Sequence, residues 1–192
     1  METVKYSVNW DETASRVEVL IRVLYGALFF FIFLIVFGFL GMLTVGFPMG
    51  LQFLIVLVTG KRNETISNYL HKYFATYVIN FATYFFLLVD ERVPLIPGSA
   101  MNSSTVDYTF KEDASRLELL IRLLYIIPLY IVMAILAFIA GVAWFVQILH
   151  ALATGKKHKT LWDAVALYTR YAVNMIYYTL MQTDERPPIM PA

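Results

Sequence analysis

The 192-residue chain contains no cysteine, which excludes disulfides, thiolate metal ligands and a cysteine nucleophile and leaves the redox compartment unmarked. Charge is scarce too: Asp, Glu, Lys and Arg make up 15% of the residues, against about 25% in soluble domains. What charge exists balances, with 15 basic and 14 acidic side chains and a net charge of +1. That balance excludes the basic footprint of a nucleic-acid binder and the acidic bias of a disordered tail. The three histidines, His71, His150 and His158, have no partner at metal-ligand spacing, so no metal, haem or other cofactor is expected. The rest is apolar: 59% of the chain is hydrophobic, which points to an integral membrane protein.

No Asp, Glu, Lys or Arg occurs over the 38 residues Val23 to Gly60, nor over the 33 residues Leu123 to Gly155. One crossing of a bilayer needs about 20 apolar residues at ~1.5 Å each, so each run is too long for one helix and suits two short ones. Each run is therefore expected to be a transmembrane helical hairpin, about 16–60 and about 116–155; the alternative for the first run is one long tilted helix, against which its glycines and proline argue. Its turns should fall among Gly41, Gly46, Pro48 and Gly50, and around Gly141. The first sixteen residues are polar and mixed in charge, unlike a secretory signal.

The chain also resembles itself. Ala14 to Tyr25 reads ASRVEVLIRVLY and Ala114 to Tyr125 reads ASRLELLIRLLY, 9 identities in 12 positions at an offset of 100. Thr59, Gly60, Lys61 recur as Thr154, Gly155, Lys156; Asp90, Glu91, Arg92 recur as Asp184, Glu185, Arg186, each followed by prolines. Upstream, Val4, Tyr6, Val8 and Val106, Tyr108, Phe110 alternate with polar residues, which predicts two short strands. The fold class expected is all-α integral membrane, built as two tandem repeats. Each repeat holds a short strand, a transmembrane hairpin and an amphipathic helix: 1–97 (amphipathic helix about 66–89), a linker 98–105, and 106–192 (amphipathic helix about 161–183).

These landmarks resemble an uncharacterised group of prokaryotic integral membrane proteins, domain-of-unknown-function family 4389. The resemblance lies in the Arg-rich helix starts (Arg16, Arg22; Arg116, Arg122), the TGK turns and the acidic, proline-rich ends (Asp90 to Pro94; Asp184 to Pro188), with Gln52 and the following Gly60 to Asn63 matching single-unit members. It implies an integral membrane domain and no activity.

Two topologies compete. If 66–89 and 161–183 cross the membrane, the halves are inverted, as in many transporters; if they lie in the interface, the halves are parallel. Both helices are amphipathic: Asn68, Lys72, Thr76, Asn80 and Thr83 share one stripe, and Asp163, Arg170, Asn174, Tyr177 and Met181 another. An Arg at mid-bilayer costs about 2.5 to 3.5 kcal/mol. The parallel model also puts all fifteen Lys and Arg on one side, so it is favoured: inner (plasma) membrane, multi-pass, both termini cytoplasmic.

Ser15 with Glu18, and Ser115 with Glu118, read as capping boxes rather than catalytic serines. Arg22, Arg122, Lys61, Arg62, Lys156, Lys157 and Lys159 read as contacts to lipid headgroups or the interface, with the alternative for Arg22 and Arg122 that they pair with Asp90 and Asp184 to close each unit. Glu18, Glu118, Asp90, Arg92, Asp184 and Arg186 read as structural ion pairs, with Glu18–Arg22 and Glu118–Arg122 spaced i, i+4. His150 and Gln147 are placed for hydrogen bonds between helices. The TGK turns lack the rest of a phosphate loop. Tyr69, Tyr73, Tyr77, Tyr84, Tyr168, Tyr171, Tyr177 and Tyr178 suggest an interfacial aromatic belt.

The function expected is a non-enzymatic scaffold or accessory subunit of a larger membrane complex, with a lipid-interacting cytoplasmic face. Its partners would be membrane lipids and other integral membrane proteins or further copies of itself. An oligomeric channel or transporter would need a polar path, and the apolar runs offer only Thr44, Gln52, Thr59, Gln147, His150 and Thr154. An interfacial lipid-acting enzyme would rest on Asp90, Glu91, Asp184 and Glu185.

Overall fold

The computed structural model describes residues 1–94, 96–99 and 101–191; position 100 of the expected linker lies outside them. The chain is mostly helical, with one small two-stranded ladder. The order is β1 (Val4–Val8), α1 (Arg16–Phe33), α2 (Phe47–Thr59), α3 (Glu64–Tyr69), α4 (Thr76–Phe85), β2 (Ser104–Tyr108), α5 (Arg116–Thr154) and α6 (Lys159–Thr179). Wide π-helical turns at Leu34–Phe39 and Met42–Gly46 join α1 to α2, and a third at Leu70–Ala75 joins α3 to α4.

The expected hairpins within the apolar runs are absent. Arg116–Thr154 is one α-helix of 39 residues, about 58 Å long at ~1.5 Å per residue. Gly141 sits inside it with no neighbour within 4 Å of a Cβ. The first run is likewise one helical rod from Arg16 to Thr59, bent at Leu40, with Gly41 and Gly46 in right-handed helical geometry. Glycine permits a turn without requiring one, and the surrounding apolar residues continue the helix. The chain reverses one step later: Gly60 and Gly155 both adopt φ +73°, the left-handed conformation that ends a helix. Each rod therefore pairs with the helix that follows it.

That pairing runs antiparallel over the full length of α6. Gln147 meets the turn at His158, Ala143 and Ala140 lie in one cluster with Trp162 and Val165, Leu129 packs with Tyr171 and Met175, and Arg122 reaches Thr183. The first half repeats the scheme with Phe29 against Tyr77 and Phe81 and Arg22 against Tyr84. The offset between equivalent residues falls from 100 at the rod starts to 95 at Gly60 and Gly155. The five additional residues of the first rod are taken up where it leaves α-geometry, in the two π turns and the bend. Between Asn63/His158 and Tyr77/Tyr171 the offset falls once more, to 94. The single extra residue there is the π turn Leu70–Ala75.

Three layers result. The rods form one, touching each other at both ends, where Val19 joins Ala151 in one cluster and Val56 joins Leu119 in another. Helices α4 and α6 form the middle layer; Tyr171, Met175 and Tyr178 face α5, while Val173 and Tyr177, on the opposite side of α6, face the ladder. The ladder is the third, with β1 and β2 antiparallel from Val4↔Tyr108 to Val8↔Ser104. Val4 and Val8 are buried and Tyr6 is half-buried, while Lys5, Ser7, Thr105 and Asp107 face out, the alternation of a half-buried strand pair. The strands match the expected segments, with β2 starting two residues earlier than expected and ending before Phe110.

The two amphipathic segments start and stop earlier than their pattern suggested: the first runs from the start of α3 at Glu64 to the end of α4 at Phe85, and the second is α6, Lys159–Thr179. Asn63 caps α3 through an oxygen that accepts from the Ile66 amide. Both segments then end in the same reversal: Leu88 N–H donates to Thr83 O and Gln182 N–H to Tyr177 O, with Leu87 at φ 62° and Met181 at φ 59°. This is a Schellman closure with a large side chain where glycine is usual, held because both side chains are buried.

Candidate functional site

Two ionic clusters close the ends of the molecule, and each is built by both halves. At one end Ser15 caps α1, its hydroxyl accepting from the Glu18 amide at 3.3 Å. The carboxylate of Glu18 does not return to the cap; it accepts from Arg92 at 2.9 to 3.2 Å and from the Tyr84 hydroxyl at 2.7 Å. The cap's own amide goes to Asp90 instead. Only half of the expected capping box forms, and the i, i+4 pair of Glu18 with Arg22 is not made. Arg22, 2% exposed, lies over the Tyr84 ring, donates to Val89 O at 3.0 Å and pairs with Asp90 at 3.1 Å. Lys157, from the other half, reaches the same carboxylate at 3.4 Å.

The far end repeats this. Glu118 takes Arg186 and the Tyr178 hydroxyl, Arg122 donates to Thr183 O and pairs with Asp184, and Arg62 crosses from the first half to pair with Asp184. Arg62 also donates to Met181 O and Lys111 O. The exchange is reinforced by the main chain: Ala14 N–H donates to Gly155 O, Ala114 N–H to Gly60 O, Arg62 N–H to Glu112 O and Lys157 N–H to Glu12 O.

This corrects the reading of the basic residues. Arg22, Arg62, Arg122 and Lys157 are each at most 5% exposed and pair with Asp90 or Asp184; Arg22 Nε and Arg122 Nε and Nη1 meet no acceptor but are buried as well, so none of the four presents a surface to a headgroup. Lys61, Lys156 and Lys159 are exposed, paired with Glu112, Glu12 and Asp163. Burial is the largest influence on the Lys157 ammonium and draws it below the ordinary lysine range, against the opposing pull of Asp90. The tyrosines depart from a belt as well. Tyr77, Tyr84, Tyr171, Tyr177 and Tyr178 are buried, and the hydroxyls of Tyr84 and Tyr178 end on Glu18 and Glu118, that of Tyr177 on His71 and that of Tyr171 on Ile189 O.

Sequence reasoning missed the pairing of Arg62 with Asp184 and of Lys157 with Asp90. Arg62 and Lys157 hold equivalent places after the TGK turns, which was the available signal. It also missed the clamps at those turns. Gln52 Oε1 accepts from Asn63 N–H and its amide donates to Ser67 Oγ; Gln147 Oε1 accepts from His158 N–H. Gln147 thus serves the turn, while His150 Nδ1 is engaged with Lys156 O.

Glu185 anchors the N-terminus. It accepts from the amides of Glu2 at 2.6 Å and Thr3 at 3.2 Å and from Lys111 at 2.9 Å. Burial alone would raise this carboxyl; Lys111 and the two amides outweigh it and bring it down to about 2. Glu91 holds the amides of Asn102 and Ser103 in the same way.

A cavity of about 410 Å³, lined by none of the cluster residues just described, lies between the polar stripe of α3–α4, the segment after Pro97, and β2. Among the described residues no group of three or more His, Asp and Glu is arranged to hold a metal ion.

Helices Met42–Thr59 and Arg116–Thr154 are long and apolar enough to cross a membrane by length and composition. The chain is therefore a mostly helical protein with two candidate membrane helices. Residues 116–190 match the family model described as domain of unknown function (DUF4389), which supports the family indicated by the sequence motifs and covers the second of the two similar halves. No curated protein and no solved structure matches the chain.

Proposed function

We propose that the protein is a non-enzymatic membrane scaffold made of two copies of one unit. It lies along the membrane plane, with its rods in the acyl region of one leaflet and its ladder on the cytoplasmic side. The observation that carries this is the exposed apolar face of both rods. Leu24 is 76% exposed and Phe138 75%, and Leu28, Phe31, Leu43, Leu54, Ile131 and Val142 continue the two faces. An aqueous surface this apolar would aggregate.

Orientation follows from where the polar groups sit. Standing upright, a rod of about 58 Å exceeds the ~30 Å hydrocarbon core. The ladder, flanking the middle of α4 and α6, would then hold Lys5 and Asp107 at membrane depth, at about 2.5 to 3.5 kcal/mol for each charge. Lying flat, the rods meet the acyl chains and the polar layer meets water. The exposed Lys61, Lys156 and Lys159 then flank the rods at the interface, where each basic charge near an anionic leaflet contributes about 1 kcal/mol.

The scaffold role is supported by the closure of the charged groups. Asp90, Asp184, Glu18 and Glu118 are engaged by arginine, lysine and tyrosine, and Gln52 holds its turn, which leaves the enzyme and channel alternatives without a free constellation. The partners would be other integral membrane proteins or further copies of this chain.

Because the chain has no cysteine, single-cysteine variants report position cleanly. Glu12 and Glu112 lie at opposite ends of the rods. Cysteines placed there are expected to react with a membrane-impermeant maleimide from the same side, and cysteines at Leu28 and Phe138 to be shielded. Labelling of the two ends from opposite sides would establish a crossing and overturn the flat seat. Copurification with a defined larger assembly in mild detergent is expected, and recovery only as a free monomer would refute the scaffold role.

A further inference from the structure

The cavity against β2 has no use in the scaffold reading, and its lining is unlike the rest of the molecule. Asn68, His71, Lys72, Asn80, Ser99, Ser104 and Thr105 surround it, with Met101 and Val106 as apolar floor. At about 410 Å³ it falls in the range of small-molecule sites, roughly 300 to 1,000 Å³.

One of its groups is buried without a partner: Ser104 is 5% exposed and its hydroxyl makes no hydrogen bond. Asn80, 3% exposed, lies on the same wall. Buried polar groups are almost always paired, so an unpaired hydroxyl at 5% exposure on a cavity wall points to a ligand. The charge of the wall is one-sided: Lys72 contributes a cation, and among the described residues no Asp or Glu lines the space. The Tyr177 hydroxyl lies against His71 Nδ1; when it donates there, the other ring nitrogen carries the proton and is a further donor.

The backbone adds an independent mark. His71 and Lys72 sit in the π turn Leu70–Ala75, the one-residue excess of the first half over the second. Such insertions re-aim side chains and concentrate at functional sites. Around this turn the halves diverge in chemistry, with Asn68 where the second half has Asp163, and Thr76 where it has Arg170.

We infer that this cavity binds a small phosphate-bearing anion, either a soluble phosphate ester or the headgroup of an anionic phospholipid. Lys72 meets the charge, and the Asn80 amide, the Ser104 hydroxyl and the His71 ring complete its donor shell. Inorganic phosphate alone would leave much of the space empty, so an ester of a small polar molecule fits better.

The test uses the full chain in mild detergent, titrated calorimetrically with glycerol 3-phosphate and with glycerol, and reconstituted into nanodiscs with and without phosphatidic acid. Binding of glycerol 3-phosphate and not glycerol is expected for the soluble source. Stabilisation by phosphatidic acid over phosphatidylcholine alone identifies the lipid source. Lys72→Gln, a change at an exposed side chain, should weaken whichever binding is found about tenfold with no change in the melting curve. Ser104→Ala removes a hydroxyl that has no protein partner. It should leave stability unchanged or slightly raised while weakening binding several-fold, a separation that a merely structural serine would not give. Absence of binding to either probe, or binding that both variants leave intact, overturns the inference.

Discussion

At the scale of single residues, the end clusters separate two kinds of ion pair. Asp184 is the counter-ion of Arg62 and Arg122, which are 5% and 4% exposed. Removing its charge strands two cations inside the protein, so Asp184→Asn should cost about 3 to 5 kcal/mol of unfolding free energy. The Arg92 side chain is 51% exposed in its pair with Glu18, and Arg92→Gln should cost far less than Asp184→Asn because solvent screens the pair. Urea unfolding of both variants beside the parent protein checks the contrast; equal losses would refute the division. Acid acts elsewhere. The Glu185 carboxyl sits at about 2 when folded, below the ~4.3 of an unfolded glutamate. The stabilisation it gives is complete above ~4.3 and fades as the pH falls toward about 2. The N-terminal strand should therefore stay docked at pH 5 and loosen below pH 4, read as faster hydrogen exchange at the Thr3 amide, with Glu185→Gln already loosened at pH 7. The ion-pair partners of Asp184 were only half legible in the sequence: Arg122 was a candidate on its own repeat, whereas Arg62 belongs to the other one, and no local spacing links it to Asp184.

Among the elements, the ones that sequence pattern reached are those whose signals are local. Ser15 and Ser115 precede apolar runs and do cap α1 and α5. The alternation of Val4, Tyr6 and Val8 is a strand. The turns in the rods were misplaced because glycine and proline were weighed as breakers. Pro48 instead sits in the first turn of α2, where its missing N–H is tolerated, and Pro128 lies within α5. The true reversal is set by Gly60 and Gly155 together with Gln52 and Gln147, 0% and 1% exposed, which hold the first amide of each returning helix from eleven residues upstream. Gln52→Leu should leave the Asn63 amide and the Ser67 hydroxyl without that partner and cost about 1 to 3 kcal/mol. Gln147→Leu gives up a single bond and should cost less. A Gln147 loss at least as large, measured by the same unfolding, would show that the second turn depends on more than the bond to His158.

For the whole molecule, the connection between the halves matters less than their exchange of parts. The chain passes from one half to the other through the segment around Ser99 and Asn102, both exposed, yet what joins the halves is the ladder, the main-chain bridges and two cations sent across in opposite directions. Similar halves were legible from the offset of their motifs. Their mutual closure was not, because a repeat read in sequence says what each copy contains and nothing about which copy's carboxylate a basic residue meets. A protease site inserted between Ser99 and Asn102 should therefore be cut without separating the fragments, which would still coelute in mild detergent. Combining the cut with Arg62→Met and Lys157→Met removes both crossed cations and leaves Asp90 and Asp184 each with one cationic partner, Arg22 and Arg122. What then joins the halves is the β-ladder, five residues on each strand and too short to hold in water by itself, with the main-chain bridges and the apolar clusters that both halves share, and neither crossed charge. The nicked double variant should accordingly dissociate at detergent concentrations that leave the nicked parent intact. Fragments of the parent that part on cleavage would mean that the continuous chain, and not the crossed charges, holds the halves together.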